Sequence, residues 1–218
     1  MKNAAIKNDT TSSPSLSPRI KRLGLADYLP TWRAMQDFSA QRHADTPDEI
    51  WLLQHPPVYT VGLNGNSEHF PRHTAIPIIK TDRGGQITYH GPGQLIVYVL
   101  LDMRRLKLSV RPLVRKLEQA VIDLLNDYGV AAQGRADAPG VYVNGAKIAA
   151  LGLRIRNGCC YHGLALNVDM NLKPFHVINP CGTPGLQVTQ TRDLGIAGPV
   201  ESLGEELTQK LLQGLAAK

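Results

Sequence analysis

The chain has 218 residues, of which 43% are hydrophobic and 19% charged, and its formal net charge is +6. This length suits one sizeable domain with its own core, and the lack of any run of about 18 apolar residues predicts no membrane-spanning helix. The basic residues are scattered and are not interleaved with aromatic ones, so the charge favours an acidic protein partner over nucleic acid or a membrane surface.

The first 18 residues are rich in Ser, Thr and Pro and predict a disordered tail ahead of a single domain over residues 19–218. This tail lacks the apolar core and the cleavage pattern of a secretory signal, so we expect the protein in the cytoplasm. The three cysteines, Cys159, Cys160 and Cys181, are an odd number without metal-ligand spacing. They predict free thiols and no metal site.

The predicted elements begin with a short strand over residues 19–24. An amphipathic helix follows over 27–45, because large apolar side chains recur there near helical spacing. The stretch EIWLLQHPPVYTVG, residues 49–62, predicts two short strands separated by a Pro-Pro bend. Residues 75–103 predict two more strands joined by a glycine-rich segment, and the second, 94–101, is apolar enough to be buried on both faces.

Residues 109–129 carry the clearest helix signal. Ser109 is predicted to cap the helix, Pro112 falls in its first turn and Gly129 ends it. Its buried stripe is predicted to consist of Val114, Leu117, Val121, Leu124, Leu125 and Tyr128.

The next segment is rich in strand-forming residues and contains Asn-Gly pairs at 144–145 and 157–158. These pairs are hairpin-turn signals, so we predict a three-stranded antiparallel meander over 139–169. A capping box over 202–205 predicts the start of a C-terminal helix. Because strands and helices come in clusters and do not alternate strictly, the predicted fold class is α+β, a single domain with a mixed or antiparallel sheet flanked by helices.

The stretch INPCGTPG, residues 178–185, places Cys181 on a turn and not in an apolar run. Pro180 fixes its own φ, and Gly182 permits φ values that a side chain forbids, so such a loop can present a thiol beside backbone N–H groups. The residues alone leave two interpretations open, an unreactive loop cysteine and a nucleophile. A nucleophile could pair with a histidine, for which the candidates are His90, His162 and His176.

Two other polar stretches could supply partners for this cysteine. Lys147 follows a predicted turn in GAKIAALG, where it is either a solvated edge lysine or an ammonium group beside buried strand surface. Arg83, Thr88 and His90 lie among four glycines in RGGQITYHGPG, where they either serve the loop and the core or bind a ligand. Neither stretch matches a phosphate-binding loop or a dinucleotide fingerprint.

Four motifs occur in the order RGGQITYHGPGQL, GAKIAALGLRI, YHGLALNVD and INPCG. Together they resemble the octanoyl transferases of lipoate biosynthesis, the lipoyl(octanoyl) transferases, which resemble biotin and lipoate protein ligases in fold. The likeness extends from about Arg19 to the C-terminal helix. It implies one catalytic acyltransferase domain over 19–218 that has the biotin/lipoate ligase fold and needs no cofactor.

The resemblance also implies roles for individual residues. Cys181 would be the nucleophile that holds the acyl group as a thioester, and Lys147 would lower the pKa of that thiol and move protons. The substrate site would be lined by Arg83, Gly84, Gly85, Gln86, Ile87, Thr88, Tyr89, His90, Ala150, Leu151, Gly152, Gly163, Leu164 and Ala165. The implied reaction, carried out by a monomer, moves an octanoyl group from acyl carrier protein to a lysine of a lipoyl domain or of a glycine-cleavage H protein.

Three other activities stay open at this point. An ATP-dependent ligase on the same scaffold would form an acyl-adenylate and would need no acyl-cysteine. A cysteine hydrolase would use a histidine and release free acid without an acceptor. A non-catalytic basic adaptor would bind acidic proteins, and its function would not depend on Cys181.

Overall fold

The computed structural model of the chain describes residues 17–179, 183 and 185–217. The described residues form helices α1 (Tyr28–Ala40), α2 (Val110–Asp127) and α3 (Val200–Ala216) and strands β1 (Arg19–Leu25), β2 (Glu49–Gln54), β3 (Val58–Val61), β4 (Ile78–Lys80), β5 (Ile87–His90), β6 (Gln94–Asp102), β7 (Gln133–Gly134), β8 (Gly140–Val143), β9 (Ala146–Arg156) and β10 (Cys159–Asn167). The tail predicted over 1–18 lies outside this range except for its last two residues. Within these ranges, no helix is long and apolar enough to cross a membrane.

Seven strands form one mixed sheet in the order β1-β2-β6-β10-β9-β8-β7. Strands β1 and β2 run parallel, and the other neighbouring pairs are antiparallel. A second sheet has the order β4-β3-β5. The predicted α+β class, with a mixed sheet flanked by helices, is confirmed.

Helices cover both faces of the large sheet. On one face, Leu117 of α2 and Leu207 of α3 are fully buried against strand residues such as Val97. On the other face, Met35 of α1 packs in a cluster with Tyr98 of β6. Fully burying a large apolar side chain contributes about 1.5–3 kcal/mol, so these two layers hold the sheet in place. A third apolar cluster, beside the small sheet, includes Tyr59, Tyr89, Phe175 and Ile178.

The predicted meander is confirmed as β8-β9-β10, with antiparallel pairing throughout. Asn144 and Gly145 have φ values of 49° and 83°, and Asn157 and Gly158 have 50° and 72°. Positive φ at both central residues is the geometry of the hairpin turns that asparagine and glycine favour. The two Asn-Gly pairs therefore form the turns that join the three strands, and a register shift between Val141 and Tyr142 interrupts the pairing of β8 with β9.

The segment 75–103 contains three strands, so the prediction of two is wrong. The additional strand β5 has only four residues and is flanked by glycines, which made it look like part of a connecting loop. It pairs antiparallel with β3, where His90 lies opposite Val58. Thr88 and His90 consequently lie on a strand and not between strands.

Helices α1 and α2 differ in detail from their predictions. Helix α1 ends at Ala40, five residues before the predicted end. Ser109 does occupy the N-cap position of α2, but its side chain makes no capping hydrogen bond. Tyr128 is 42% exposed and not part of the buried stripe, because its hydroxyl donates to Glu206 on the surface. Val114 is half-buried.

The capping box predicted over 202–205 is wrong. Helix α3 begins at Val200, directly after Pro199, so Ser202 already lies in its first turn. Glu205 instead accepts two hydrogen bonds from the guanidinium of Arg22, at 2.6 and 2.7 Å. Proline, with its fixed φ, starts this helix three residues earlier than the Ser-Glu spacing indicates.

Candidate active site

A cleft of about 510 Å³, a volume that includes its open mouth, lies where β5 and the start of α1 meet β9 and β10. It is lined by Tyr28, Arg83, Gly85, Gln86, Ile87, Thr88, His90, Ile96, Tyr98, Ala150, Leu151, Gly152, His162, Gly163, Leu164 and Ala165. The fold thus brings together the residues that the sequence assigned to a substrate site, apart from Gly84 and Tyr89. Three separate motifs of the chain converge here.

Gly84 and Tyr89 belong to the same segment as the cleft residues but do not line the cleft. Tyr89 follows Thr88 on β5, so its side chain points to the opposite face of the strand and packs in the cluster beside the small sheet. The backbone N–H of Gly84 donates to the carbonyl of Leu153 at 2.9 Å. This hydrogen bond of Gly84 therefore connects the glycine-rich segment to β9 next to the cleft.

Two glycines of the cleft are required by neighbouring protein atoms. Gly163 lies between Tyr98 on β6 and Gly152 on β9 in the sheet register. A side chain at 163 would collide with the backbone carbonyl of Val97, and a Cβ at 152 would lie 3.1 Å from the Cδ atom of Arg83. Glycine at these two positions thus allows the neighbouring strands and Arg83 to pack closely around the cleft.

Arg83 is buried in the cleft wall and binds the loop around it. Its guanidinium donates to the carbonyl of Thr60 at 2.6 Å and to the hydroxyl of Thr60 at 2.8 Å. It also donates to the carbonyls of Gly84 and Gln86, both at 2.9 Å. Arg83 therefore fixes the backbone of the glycine-rich segment and at the same time brings a positive charge to the cleft.

His90 belongs to a directed chain of hydrogen bonds. The carbonyl of Thr189 can only accept, so the side chain of Asn167 donates to it and in turn accepts from the amide of Gln94, both at 2.9 Å. The oxygen of Gln94 then accepts from Nδ1 of His90 at 2.8 Å. Nε2 of His90 is left to accept from the hydroxyl of Thr60 at 3.2 Å.

Two histidines beside the cleft are neutral at physiological pH. Burial, reinforced by the nearby His55, lowers the pKa of His90 to about 3. Burial also lowers the pKa of His55 to about 4, although its ring donates to the carbonyl of Ala26 at 2.6 Å. Because both ring nitrogens of His90 are engaged within the protein, its imidazole is not available as a general base.

The set predicted to bind substrate omits four residues that line the cleft: Tyr28, Ile96, Tyr98 and His162. Tyr28 belongs to the apolar stripe of α1, and Ile96 and Tyr98 lie inside the apolar run of β6, so their sequence context is that of core residues. His162 was considered only as a partner for the cysteine. Both faces of β6 are buried, so its sequence pattern does not show which face meets a cleft. That depends on how the sheet packs against the rest of the protein.

His162 has a φ of 63°, a left-handed conformation that is uncommon for a residue with a side chain. Its ring stacks on that of its neighbour Tyr161, with centroids 5.1 Å apart. Both side chains bind Asp82: the tyrosine hydroxyl donates to one carboxylate oxygen, and Nε2 of His162 donates to the other at 3.0 Å. Backbone strain of this kind is characteristic of functional sites.

Asp82 accepts hydrogen bonds from several side chains beside the cleft. Burial opposes its ionisation, but hydrogen bonds from His162 and Tyr161, with further ones from Gln36 and Trp32, hold the pKa of the carboxyl well below its usual range. Burial lowers the pKa of His162 against the pull of this carboxylate. Asp82 therefore stays charged and keeps the imidazole in one orientation.

Lys147 lies on β9, three residues before the cleft residue Ala150, and is only 3% exposed. Its Nζ donates to the carbonyl of Pro139 at 3.1 Å and lies 5.2 Å from the centre of the Tyr142 ring. The interpretation as a solvated edge lysine is therefore wrong. In the part of the chain that the structure describes, Lys147 is not among the residues that line the cleft.

Cys181, the predicted nucleophile, lies outside the described residues together with its neighbours in the loop. Before the loop, Ile178 is buried in the cluster beside the small sheet. After the loop, the chain pairs with the backbone of Lys147, whose N–H donates to Gln187 at 2.8 Å and whose carbonyl accepts from Thr189 at 3.0 Å. The segment that follows the loop is thus hydrogen-bonded directly to Lys147.

The other two cysteines have the character of core residues. Cys159 and Cys160 are buried on β10, and burial raises the pKa of Cys160 to about 12. A thiol is inert at such a value, because the thiolate is the nucleophile. His176, one of the histidines considered as a partner, is exposed. Among the residues described, no group of three or more His, Cys, Asp or Glu side chains could hold a metal ion.

Comparison with known proteins identifies relatives over nearly the whole chain. The family described as "Lipoyl protein ligase A/B catalytic domain" matches residues 27–213. An octanoyltransferase of Dechloromonas aromatica (strain RCB) is 61% identical over 203 residues, which are 93% of this chain and 99% of that protein.

Solved structures share the fold at low sequence identity. A crystal structure of lipoate-protein ligase A bound with ATP superposes with a TM-score of 0.74 at 16% identity, over 91% of this chain and 85% of that one. The biotin protein ligase of Aquifex aeolicus gives a TM-score of 0.55 at 11% identity, over 91% and 69% of the two chains. The predicted likeness to the biotin and lipoate ligase fold is confirmed.

Proposed function

This chain belongs to the octanoyltransferase family, whose catalytic domain is that of the lipoyl protein ligases A and B, and from that membership we propose its donor, its acceptors and its mechanism. It is an acyltransferase that moves octanoyl groups in protein lipoylation. The donor is octanoyl-acyl carrier protein, and the acceptor is a lysine of a lipoyl domain or of the glycine-cleavage H protein. We propose that the chain acts as a monomer in the cytoplasm.

The observation that carries this proposal is the environment of Lys147. It is a buried lysine whose backbone bonds on both sides to the segment that follows the loop of Cys181. An ammonium group close to a thiol favours the thiolate, which is otherwise a minor species at pH 7 because a free cysteine has a pKa of about 8.5. In the proposed pair, Lys147 is protonated and Cys181 is a thiolate.

The first half of the reaction acylates Cys181. Its thiolate attacks the thioester carbonyl of the donor, and the bond between that carbonyl and the pantetheine sulfur breaks. Lys147 gives its proton to the leaving pantetheine thiolate, so the products are an acyl-cysteine, a free thiol and a neutral amine at Lys147.

The second half transfers the acyl group to the acceptor. The neutral amine of the acceptor lysine attacks the acyl-cysteine, and the carbon–sulfur bond to Cys181 breaks. Lys147 takes the surplus proton from the new amide nitrogen, which restores the starting ammonium and thiolate. No ATP is consumed, because the thioester of the donor already supplies the driving force.

The cleft is proposed to hold the octanoyl chain. Ile96, Tyr98 and Ala165 offer apolar walls, and the neutral His90 adds no charge. Burying the six methylenes of an octanoyl group contributes about 5 kcal/mol at about 0.8 kcal/mol each. A chain bound beside Ala150 on β9 would direct its carbonyl along that strand toward Lys147.

The test is transfer from octanoyl-charged carrier protein to a purified lipoyl domain without ATP, followed by the intact mass of the domain. We expect the domain to gain one octanoyl group, and a domain whose target lysine is replaced by arginine to gain none. Modification that requires ATP and free octanoate would identify a ligase instead. Release of free octanoate without modification of the domain would identify a hydrolase.

A further inference from the structure

Lys147 and Glu118 bind opposite ends of the same peptide group, the amide between Pro139 and Gly140. The N–H of Gly140 donates to Oε1 of Glu118 at 2.8 Å. The carbonyl of Pro139 accepts from Nζ of Lys147 at 3.1 Å. A carboxylate and an ammonium group are therefore connected through a single amide.

Such a connection strengthens both hydrogen bonds. A carboxylate that accepts from an amide N–H draws electron density toward the carbonyl oxygen of that amide, which makes the oxygen a better acceptor. Hydrogen bonds to a charged group are about twice as strong as neutral ones, and both bonds here have a charged partner. Glu118 of α2 thus fixes the N–H end of this amide, and the carbonyl end of the same amide fixes the amine of Lys147.

The surroundings of this amide leave it little freedom. The hydroxyl of Tyr142 donates to the carbonyl of Ala138, the preceding residue, at 2.7 Å. Gly140 has a φ of 147°, and a Cβ there would lie 2.7 Å from Cε of Lys147 and 2.8 Å from the carbonyl of Ala149. Glycine is required at 140 because any side chain would occupy the space of the lysine.

Glu118 is itself a residue that the helix pattern does not explain. It is 9% exposed, on the buried side of α2, where an unpaired carboxylate would cost several kcal/mol. Its second oxygen lies against Gly134, where a Cβ would come within 3.1 Å of Oε2. Glu118 is thus a carboxylate among the otherwise mainly apolar buried residues of α2, at the border of a groove that Arg111 and Arg115 also line.

We propose that Glu118 is a positioning residue for acyl transfer: through the Pro139–Gly140 amide it fixes the amine of Lys147 in its working position. This inference rests on the proposed role of Lys147. Glu118 lies outside the residues that line the cleft and acts on the reaction only by way of the amide and the lysine.

The test measures single-turnover acylation of Cys181 by octanoyl-charged carrier protein in four proteins: wild type, Glu118→Ala, Lys147→Ala and the double variant. We expect Glu118→Ala to slow acylation by about 10- to 100-fold without raising the KM for the carrier, since small misplacements of a catalytic group cost this much. In the Lys147→Ala background, Glu118→Ala should cause no further loss. An equal loss in both backgrounds would show a merely structural role and overturn the inference.

Conservative replacement gives a second readout. Glu118→Gln keeps an oxygen that accepts from Gly140, so it should restore most of the rate lost in Glu118→Ala; a rate as low as that of Glu118→Ala would contradict positioning by this hydrogen bond. Glu49→Gln is the matched control, a buried carboxylate on β2 that accepts from the indole of Trp51 at 2.7 Å, and it should acylate at the wild-type rate.

The outcomes also separate this inference from the proposed function. A Glu118→Ala enzyme that acylates as fast as the wild type would overturn the inference alone. A Lys147→Ala enzyme that acylates as fast as the wild type would refute the proposed role of the lysine, and the role of Glu118 with it.

Discussion

Strand β9 contributes to two regions of different character. Its middle, residues 150–152, borders an open cleft with mainly apolar walls, the neutral His90 and the guanidinium of Arg83. Its beginning carries Lys147, a buried basic group stabilised by a backbone carbonyl and an aromatic ring. Burying a charged group costs several kcal/mol unless it is hydrogen-bonded, so the two regions need different neighbours. In the proposed function, the middle of this strand borders the site that holds the acyl group, and its beginning carries the residue that takes part in the reaction.

This separation gives each region its own kind of experiment. A change in the cleft should alter which acyl group binds, whereas a change around Lys147 should alter the rate of the chemical step with any acyl group. A variant that changed both the acyl-group preference and the rate of the chemical step to the same extent would show that the two regions are not independent.

The largest effect is expected at the reacting end. Lys147→Ala should lower the rate of transfer about 10³-fold, because general acid–base groups contribute typically 10²- to 10⁴-fold. Lys147→Arg should recover little, since a guanidinium holds its proton and is too large for the space beside Gly140. The rate constant from single-turnover experiments measures both, and circular dichroism checks that each variant is folded. A transfer rate for Lys147→Ala that is less than threefold below that of the wild type would contradict a role of Lys147 in the chemical step.

The neutral histidines of the cleft predict how stability depends on pH. The pKa values of about 3 for His90 and about 4 for His55 lie below the unfolded value near 6.5, so burial keeps both neutral in the folded state. The stability that the neutral histidines contribute is complete above about pH 6.5. It is lost as the pH falls toward their pKa values in the folded state. As the pH falls from 6.5 to 5, each histidine is protonated in the unfolded state but not in the folded state. This should lower the free energy of unfolding by up to about 2 kcal/mol for each histidine.

Urea titrations at pH 7, 6 and 5 measure this dependence. We expect the free energy of unfolding of His90→Gln to fall less steeply with pH than that of the wild type. His43→Gln is the control, because His43 is exposed, and it should retain the wild-type slope. Identical slopes for all three proteins would show that His90 is not held neutral by burial.

A smaller effect is expected when the cleft is partly filled. Ala150→Leu adds bulk beside the space proposed for the acyl chain. The KM for octanoyl-charged carrier should rise about tenfold, since each methylene lost from an apolar pocket is worth about 1–3 kcal/mol. A butyryl-charged carrier should be used as before, which makes the shorter chain the internal control. Equal losses with both donors would place the acyl group somewhere other than this cleft.

The smallest effect is expected at the basic surface. Arg111 and Arg115 are exposed on α2 and line a groove that Pro139 also lines, the residue whose carbonyl accepts from Lys147. Replacing both by serine should raise the KM for an acidic carrier two- to fivefold at about 0.1 M salt, and the difference should vanish at about 1 M, where the screening length falls from about 10 to 3 Å. Arg33→Ser on α1 is the control and should have no effect. A salt-independent KM in the wild type would remove charge steering from the account.

Some of this architecture follows from local sequence. The meander is predictable because the Asn-Gly pairs at 144–145 and 157–158 each specify a turn from two neighbouring residues. The helix ends are harder: the Ser-Glu spacing at 202–205 is as good as many real capping boxes, but Pro199 starts the helix earlier. Strand β5 was missed because four residues between glycines carry almost no periodic signal.

The site depends on contacts between distant segments, which limits what the sequence reveals. The motifs containing Arg83, Lys147 and Cys181 were recognised through resemblance to a family, since spacing alone does not join them. Tyr98 gave no signal, because a tyrosine in an apolar strand has the pattern of a core residue. Glu118 gave none either: a glutamate in an amphipathic helix is ordinarily solvated, and only the packed structure shows it bonded to Gly140.

The central claim is that Cys181 carries the acyl group, and the intact mass of the protein tests it most directly. After mixing with octanoyl-charged carrier protein, without acceptor and without ATP, the chain should gain the mass of one octanoyl group. Peptide mapping should place that group on Cys181 and not on the buried Cys159 or Cys160, and neutral hydroxylamine should remove it as it removes a thioester. An unchanged mass during active transfer, or an adduct confined to another residue, would contradict the account.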